Sequence, residues 1–354
     1  MADHTDRMSQ RRIPLRPAVF MLPPPVTISI ALVHGMLSAI QARGEAVDAY
    51  LIGADIAPEL LQQASARVTA EQYIALFQLL IDTRNDEALG FLSRPLKRGS
   101  FALIAREGIG APTLEVALRR MARTFALLQD DVILKPVRNG DEAGIELRLS
   151  EPSRARPEFL HNLLLRVTWR LLAWMIDARL PVTTFDFAFE RPDYFDSYTK
   201  VFPAPSRFDC PRSALWFDAG QLARNVRRDQ ESLRKFLMTA VANVIVPRRD
   251  EGVTHAVRSQ LQRMLPRWGD LAAVASALFM SPSTLQRRLA GEKTTFQLLK
   301  DELRRDIAIT RLNTSTVSFA ALADELGFAD SAAFQRAFKN WTGSAPGVYR
   351  QGNG

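Results

Sequence analysis

The chain has 354 residues, 47% of them hydrophobic, with a net charge of +8 and an isoelectric point near 10.0. That length allows two or three domains with real cores, and the basic balance favours an acidic partner: nucleic acid, an anionic surface or an acidic protein. A single cysteine, Cys210, excludes an internal disulfide and a multi-cysteine metal site and fits a reducing compartment, and His4, His34, His161 and His255 are scattered without ligand spacing.

Residues 1–25 are basic and proline-rich without a continuous apolar stretch ending in small residues, so they read as a disordered arm and not as a signal peptide. The run VTISIALVHGMLSAI that follows is 15 residues long and contains His34, too short for a membrane span. A cytoplasmic protein that does not enter the membrane is expected. Residues 28–130 read as helices. Tyr73, Ile74, Phe77, Leu80 and Ile81 recur at helical spacing behind Thr69 and Gln72, a capping-box pair. Leu114, Leu118, Met121, Phe125 and Leu128 line one face of another helix, opposite Arg119, Arg120 and Arg123.

The period then changes. VILKPVRNGDEAGIELRLS reads as a hairpin about Asn139-Gly140, PEFLHNLLLRVTWRLLAWMIDARL as a long helix, and SALWFDAGQL as a strand. In VTTFDFAFE, Phe185, Phe187 and Phe189 alternate with Asp186 and Glu190, the pattern of a strand with two unlike faces. With Trp169 and Trp174, these phenylalanines line either a pocket or only a core. The sum is an α+β domain over 26–225 and a charged, partly helical connector over 226–252, marked at its end by Pro247 and Gly252. Residues 253–350 have no strand signal, which predicts an all-α C-terminal domain.

That C-terminal stretch holds two helix-turn-helix patterns joined by a long linker helix. In DLAAVASALFMSPSTLQRRLAG, Leu271, Val274, Ala275 and Leu278 face inward, Ser281 and Pro282 start the second helix, and Leu285 and Leu289 anchor it. Ser283, Thr284, Gln286 and Arg287 are the candidate DNA-binding residues of this unit. In SFAALADELGFADSAAFQRAFKNWTG, Phe319, Leu322, Ala323 and Leu326 face inward, Gly327 ends the first helix, and Phe334 and Phe338 anchor the second. Ser331, Ala332, Gln335, Arg336 and Lys339 are its candidate DNA-binding residues. Arg suits guanine edges, Gln suits adenine edges, and Ser or Lys suits phosphate. The intervening TFQLLKDELRRDIAITRLN makes a rod of about 27 Å at 1.5 Å per residue, able to hold two reading helices about one turn of duplex, near 34 Å, apart. Residues 253–354 carry 13 Lys and Arg against 8 Asp and Glu, a net of +5 out of +8.

This region resembles the DNA-binding domain of the AraC/XylS family of bacterial transcription regulators. Gly327-Phe328, Phe334, Arg336, Phe338, Lys339, Gly343, Pro346 and Tyr349-Arg350 fall where that pattern has them. Lys293, where the family often has Gly, and Ala332, where it often has a polar residue, depart from it. Over roughly 28–225 the chain is similar to the regulatory domain of one branch of the family, through NDEALGFLSRPLKRGSFALIA, APTLEVALRRMARTFALLQDD and FDCPRSALWFDAGQL. The resemblance implies a homodimeric, sequence-specific regulator, an activator working with RNA polymerase on double-stranded promoter DNA under a small-molecule effector. No catalytic residues, metal or cofactor are expected. GIGAPT at 108–113 lacks the third glycine of a dinucleotide fingerprint, and no phosphate loop, nucleophile elbow or His-Glu-x-x-His is present. A constitutive architectural DNA binder, or an enzyme with a DNA-localising tail, are the competing readings.

Overall fold

A computed structural model describes residues 26–151, 157–194, 201–241 and 252–350. The expected arm at 1–25 and Pro247 at the connector's end lie outside the described residues. The N-terminal body begins with β1 (Thr27–Ser29), which runs into α1 (Ile30–Gln41). It pairs antiparallel with β2 (Arg67–Thr69), which runs into α3 (Ala70–Arg84), with α2 (Asp48–Gly53) between them. These strands correct the helix-only expectation for 28–130. Three residues are too few to show an alternating pattern, and each strand is continuous with a helix. Thr69 caps α3, its hydroxyl accepting from the Gln72 backbone while the Gln72 amide oxygen accepts from the Thr69 backbone, as the capping-box pair predicts. In α5 (Leu114–Leu128), preceded by α4 (Ser100–Gly108), Leu114, Leu118, Met121 and Phe125 are buried and Arg119, Arg120 and Arg123 exposed.

The main sheet has the order β3 (Val132–Asn139), β4 (Glu142–Leu149), β7 (Ala214–Asp218), β5 (Val182–Asp186), β6 (Ser206–Arg207). Strands β3 and β4 form the expected hairpin, with Gly140-Asp141 as its loop and Gly140 at a φ of 59°. Strands β5 and β7 continue it antiparallel, and β6 joins β5 in parallel. The long helix α6 (Glu158–Met175) packs against β7. β5 ends at Asp186, yet Phe185, Phe187 and Phe189 are all buried. Asp186, expected on an outer polar face, is buried as well. It accepts two bonds from Arg207, at 2.7 and 2.9 Å, and one from the Trp216 indole at 2.8 Å, so its charge is satisfied inside the protein. Within the connector stretch, α7 (Gln230–Met238) packs on this body, with Phe236 stacked on Trp174 at 4.4 Å.

The C-terminal body comprises α8 (Val253–Arg263), α9 (Leu271–Ala277), α10 (Pro282–Gly291), α11 (Phe296–Thr314), α12 (Phe319–Glu325), α13 (Ser331–Thr342) and a closing 3-10 turn, Pro346–Arg350. Three of its helices end alike. After α9, α10 and α12 the chain turns through a left-handed residue, and the next amide reaches back to a carbonyl five residues earlier: Met280 to Ala275, Thr294 to Leu289 and Phe328 to Ala323. This is the Schellman ending, which favours glycine. The left-handed residues are Phe279 (φ 56°), Lys293 (φ 56°) and Gly327 (φ 71°). Lys293 therefore keeps the turn that a glycine makes more cheaply.

The two bodies meet through a polar clasp. Helix α11 lies against β1 and β2. Its Asp306, 3% exposed, accepts from the Thr27 hydroxyl at 2.6 Å and from Arg258 at 2.7 Å. Arg305 stands at 3.2 Å. Arg67 donates to the Thr27 hydroxyl and carbonyl, both at 2.7 Å, and its backbone N–H donates to the Tyr349 hydroxyl at 3.3 Å. Gln72 donates to Asn313 at 2.8 Å. Burial alone would raise the Asp306 carboxyl, but Arg305, Arg258, Arg67 and the Thr27 hydroxyl outweigh it and hold the carboxyl below the ordinary aspartate range. Burial, with Arg305 beside it, pushes the Arg67 guanidinium down to about 10, still charged at neutral pH.

Phe279→Gly relieves a left-handed phenylalanine and should raise the urea midpoint, a gain of about 0.5–1 kcal/mol. Gly327→Ala should lower it by more than about 1 kcal/mol, since a Cβ there would stand 2.8 Å from Trp268; equal midpoints would refute the strain. Thr27→Val with Asn313→Ala removes a buried hydroxyl partner and an amide partner, and should loosen the docking by about 1–3 kcal/mol. Calorimetry should then split one melting transition into two. Because the folded Asp306 carboxyl is depressed, its contribution is complete above the ordinary aspartate range and lost as pH falls through its lower folded value. The unaltered protein should show the same splitting on that acidic side, and a single pH-independent transition would argue against the clasp.

Candidate nucleic-acid interface

Each helix-turn-helix unit turns one helix inward with apolar anchors and leaves its other face free. In the first, the Ser281 hydroxyl caps α10 by accepting from the Thr284 backbone at 3.2 Å, and Pro282 needs no bond at that position. Leu285 and Leu289 are buried. Ser283, Gln286 and Arg287 are exposed, while Thr284 is half-buried and its hydroxyl accepts from Ser281 at 2.8 Å.

In the second unit, Asp330 caps α13 by accepting from the Ala333 backbone at 2.7 Å. Phe334 and Phe338 are fully buried, their rings 5.7 Å apart, and Tyr349 meets Phe338 edge-on at 5.1 Å. Ala332, Gln335, Arg336 and Lys339 are exposed. Ser331 is half-buried, and its hydroxyl accepts from the Gln335 amide at 3.1 Å. Ala332 presents a methyl, capable of apolar contact but of no hydrogen bond. Arg287, Arg336 and Lys339 make no ion pair among the described residues, so their charges are available to an anionic partner. Each unit thus gathers its candidates on one helix.

The two units are bolted to α11, whose 19 residues span about 28 Å at the usual rise. Arg304 lies between the Trp268 and Phe328 rings, at 4.9 and 5.2 Å, and donates to the Leu326 carbonyl at 3.0 Å. The Trp268 indole donates to the Glu325 carbonyl at 3.1 Å. Both carbonyls belong to the end of α12, so Arg304 and Trp268 hold the turn from which α13 departs. On the other side, Glu292 accepts from the Val253 and Thr254 backbones, each at 2.9 Å, and fixes α8 to the end of α10. Lys300 donates to the Gly269 carbonyl at 3.2 Å. Sequence reasoning named neither Arg304 nor Glu292 as a positioning residue. Their partners are backbone atoms brought near only by folding, and no spacing signals them.

The aromatic ladder divides. Phe185 and Phe187 are core, packed with Phe202 at 4.8 and 5.2 Å. Phe189 lines an open cleft in the N-terminal body. Trp169 donates to the Leu180 carbonyl at 3.0 Å and meets Phe185 at 5.9 Å, as a core residue would. Cys210 is half-buried, and burial, with Asp186 nearby, raises its thiol, away from a reactive thiolate. Among the described residues no helix is long and apolar enough to cross a membrane.

Comparison with known proteins adds an independent line. The model of the N-terminal arabinose-binding domain of AraC transcription regulators matches residues 44–226, and a helix-turn-helix domain model matches residues 274–352. The ornithine utilization regulator of Pseudomonas aeruginosa is 23% identical over 92% of this chain and 96% of its own length. The regulator VqsM of the same species is 24% identical over 70% of this chain and 77% of its own. The urease operon transcriptional activator of Escherichia coli is 31% identical over 29% of this chain and 33% of its own. With the first model covering more than half its length, this chain belongs to the AraC family of transcription regulators, DNA-binding proteins with an N-terminal effector-binding domain.

Proposed function

We propose that this regulator is an effector-gated activator whose α10 and α13 enter successive major grooves on one side of promoter DNA. The observation that carries this reading is the exposure of unpaired Arg287, Arg336 and Lys339 on two capped helices bolted to one rod. Gln286, Arg287, Gln335 and Arg336 would read base edges, and Ser283, Thr284, Ser331 and Lys339 would lie along phosphates, with Ala332 offering its methyl. Activation is supported by the name of the Escherichia coli relative, an operon activator. In this reading the protein works in the cytoplasm at the nucleoid, dimerises through its N-terminal body and meets RNA polymerase when bound beside a promoter. The boundaries that go with it are an effector and dimerisation domain over 26–225, a connector over 226–252 and a DNA-binding domain over 253–350.

The clasp suggests how an effector acts at a distance. A ligand that binds two arrangements of the N-terminal body unequally shifts their populations. Thr27 of β1 and Gln72 of α3 bond α11 directly, so such a shift alters the rod that carries both reading helices.

Genome-fragment selection with the purified chain should return two sequence blocks about one helical turn apart. Arg287→Ala or Arg336→Ala should each weaken binding to the selected site by about 1–3 kcal/mol and relax one base position. Lys339→Ala should weaken all sequences alike and flatten the salt dependence. Loss that is uniform over sequences for both arginine variants would remove the base-reading role. Selection without any motif would leave an architectural binder.

A further inference from the structure

The N-terminal body contains an open cleft of about 1080 Å³. It is lined by residues of α1, by Leu61, Gln62 and Ala64, and by the apolar rings of Phe159 and Phe189. Besides His34, its ionisable side chains are Glu190, Asp193, Tyr194 and Glu158, the last accepting from the Tyr194 hydroxyl at 2.6 Å, and among the described residues neither Lys nor Arg lines it. In a chain of net charge +8 this is a local reversal of sign. Aromatic edges and faces beside carboxylates suit an ammonium or guanidinium on an apolar stem: the stem leaves water against the phenylalanines, and the head forms charge-assisted bonds at the rim. An anion would meet three like charges there.

The walls of this cleft are also the supports of the clasp. His34 bonds the Leu61 carbonyl through its Nε2 at 2.8 Å, and the Ile30 backbone donates to the Ala66 carbonyl at 2.9 Å. The same segment abuts the end of α13. A Cβ on Gly343, the left-handed residue closing that helix, would stand 2.9 Å from the Ser65 hydroxyl and 3.0 Å from Gln63. Segment 61–66 therefore touches the cleft on one side and the second reading helix on the other.

We propose that this cleft is the effector site and that its ligand class is an organic cation with an apolar stem, read out through segment 61–66. The proposal rests on the effector-gated reading given above. It is tested on the full chain by calorimetric titration with n-hexylammonium, n-hexanoate and hexan-1-ol as probes. Hexylammonium should bind saturably and more tightly than the other two. Glu190→Gln with Asp193→Asn, both exposed rim positions, should weaken it on the order of tenfold without changing the melting temperature of the free protein. Hexanoate binding as tightly as hexylammonium, or no loss in the rim variant, would overturn the assignment. A parallel screen of neutral and anionic metabolites for changes in DNA affinity separates the two readings. A hit there, with hexylammonium inert, keeps effector gating and removes this cleft as a cation site. DNA affinity indifferent to every compound removes effector gating, and calorimetry still decides the cation site. Hexylammonium that binds at the rim and shifts DNA affinity supports both.

Discussion

One buried carboxylate organises the relation between the two halves of this protein. Asp306 lies in the middle of the linker helix, 3% exposed, where an unpaired charge would cost several kcal/mol. Its partners come from three places: Arg305 on its own helix, Arg258 on α8 and Thr27 on the N-terminal strand pair. Only the docked arrangement supplies all three. The carboxylate thereby selects one placement of the N-terminal strands along α11, because a slip would strand either the charge or the guanidinium of Arg67 that shares Thr27. Buried ion pairs contribute little net stability, whereas removing one partner strands a charge and is strongly destabilising, so arrangements that separate these partners are disfavoured.

The rod has a matching role at its other faces. Arg304 and Trp268 fix the end of α12, and Glu292 fixes the start of α8. These groups act on backbone carbonyls and amides, so they fix the end of α12 and the start of α8 without being part of the candidate DNA-binding faces of α10 and α13. The exposed arginines and lysine stay free of ion pairs among the described residues. The division is physical: the positioning charges of Arg304 and Glu292 are spent on backbone partners, whereas Arg287, Arg336 and Lys339 are solvated, so an anionic partner would not have to break an internal bridge first.

The turns show where the fold tolerates strain. Four helices of the C-terminal body end with a left-handed residue, and two of these residues, Phe279 and Lys293, are not glycine. Phe279 is 97% exposed in that conformation, so no packing offsets its cost. Nothing in the surrounding contacts explains the choice of phenylalanine there.

The amino-acid sequence by itself determined the helices and the inward faces of both helix-turn-helix units. Leu285, Leu289, Phe334 and Phe338 recur at helical spacing, and Ser281, Pro282 and Gly327 punctuate the ends, all local properties of backbone and side chain. The hairpin at Gly140 and the Thr69–Gln72 capping box were legible for the same reason. The sequence also named the exposed residues Gln286, Arg287, Gln335, Arg336 and Lys339, since a face left over from packing follows from the same period, but it did not show that Thr284 and Ser331 are half-buried. Tertiary structure alone decided the rest. The strands Thr27–Ser29 and Arg67–Thr69 exist only because each supplies the other's hydrogen bonds, and three residues carry no period. Asp186, read as an outer-face residue from alternation, was drawn inside by Arg207 and Trp216 from other strands. The partnership of Thr27 with Asp306, 279 positions apart, leaves no local trace, because neither side chain's neighbours in sequence record what it will meet in space.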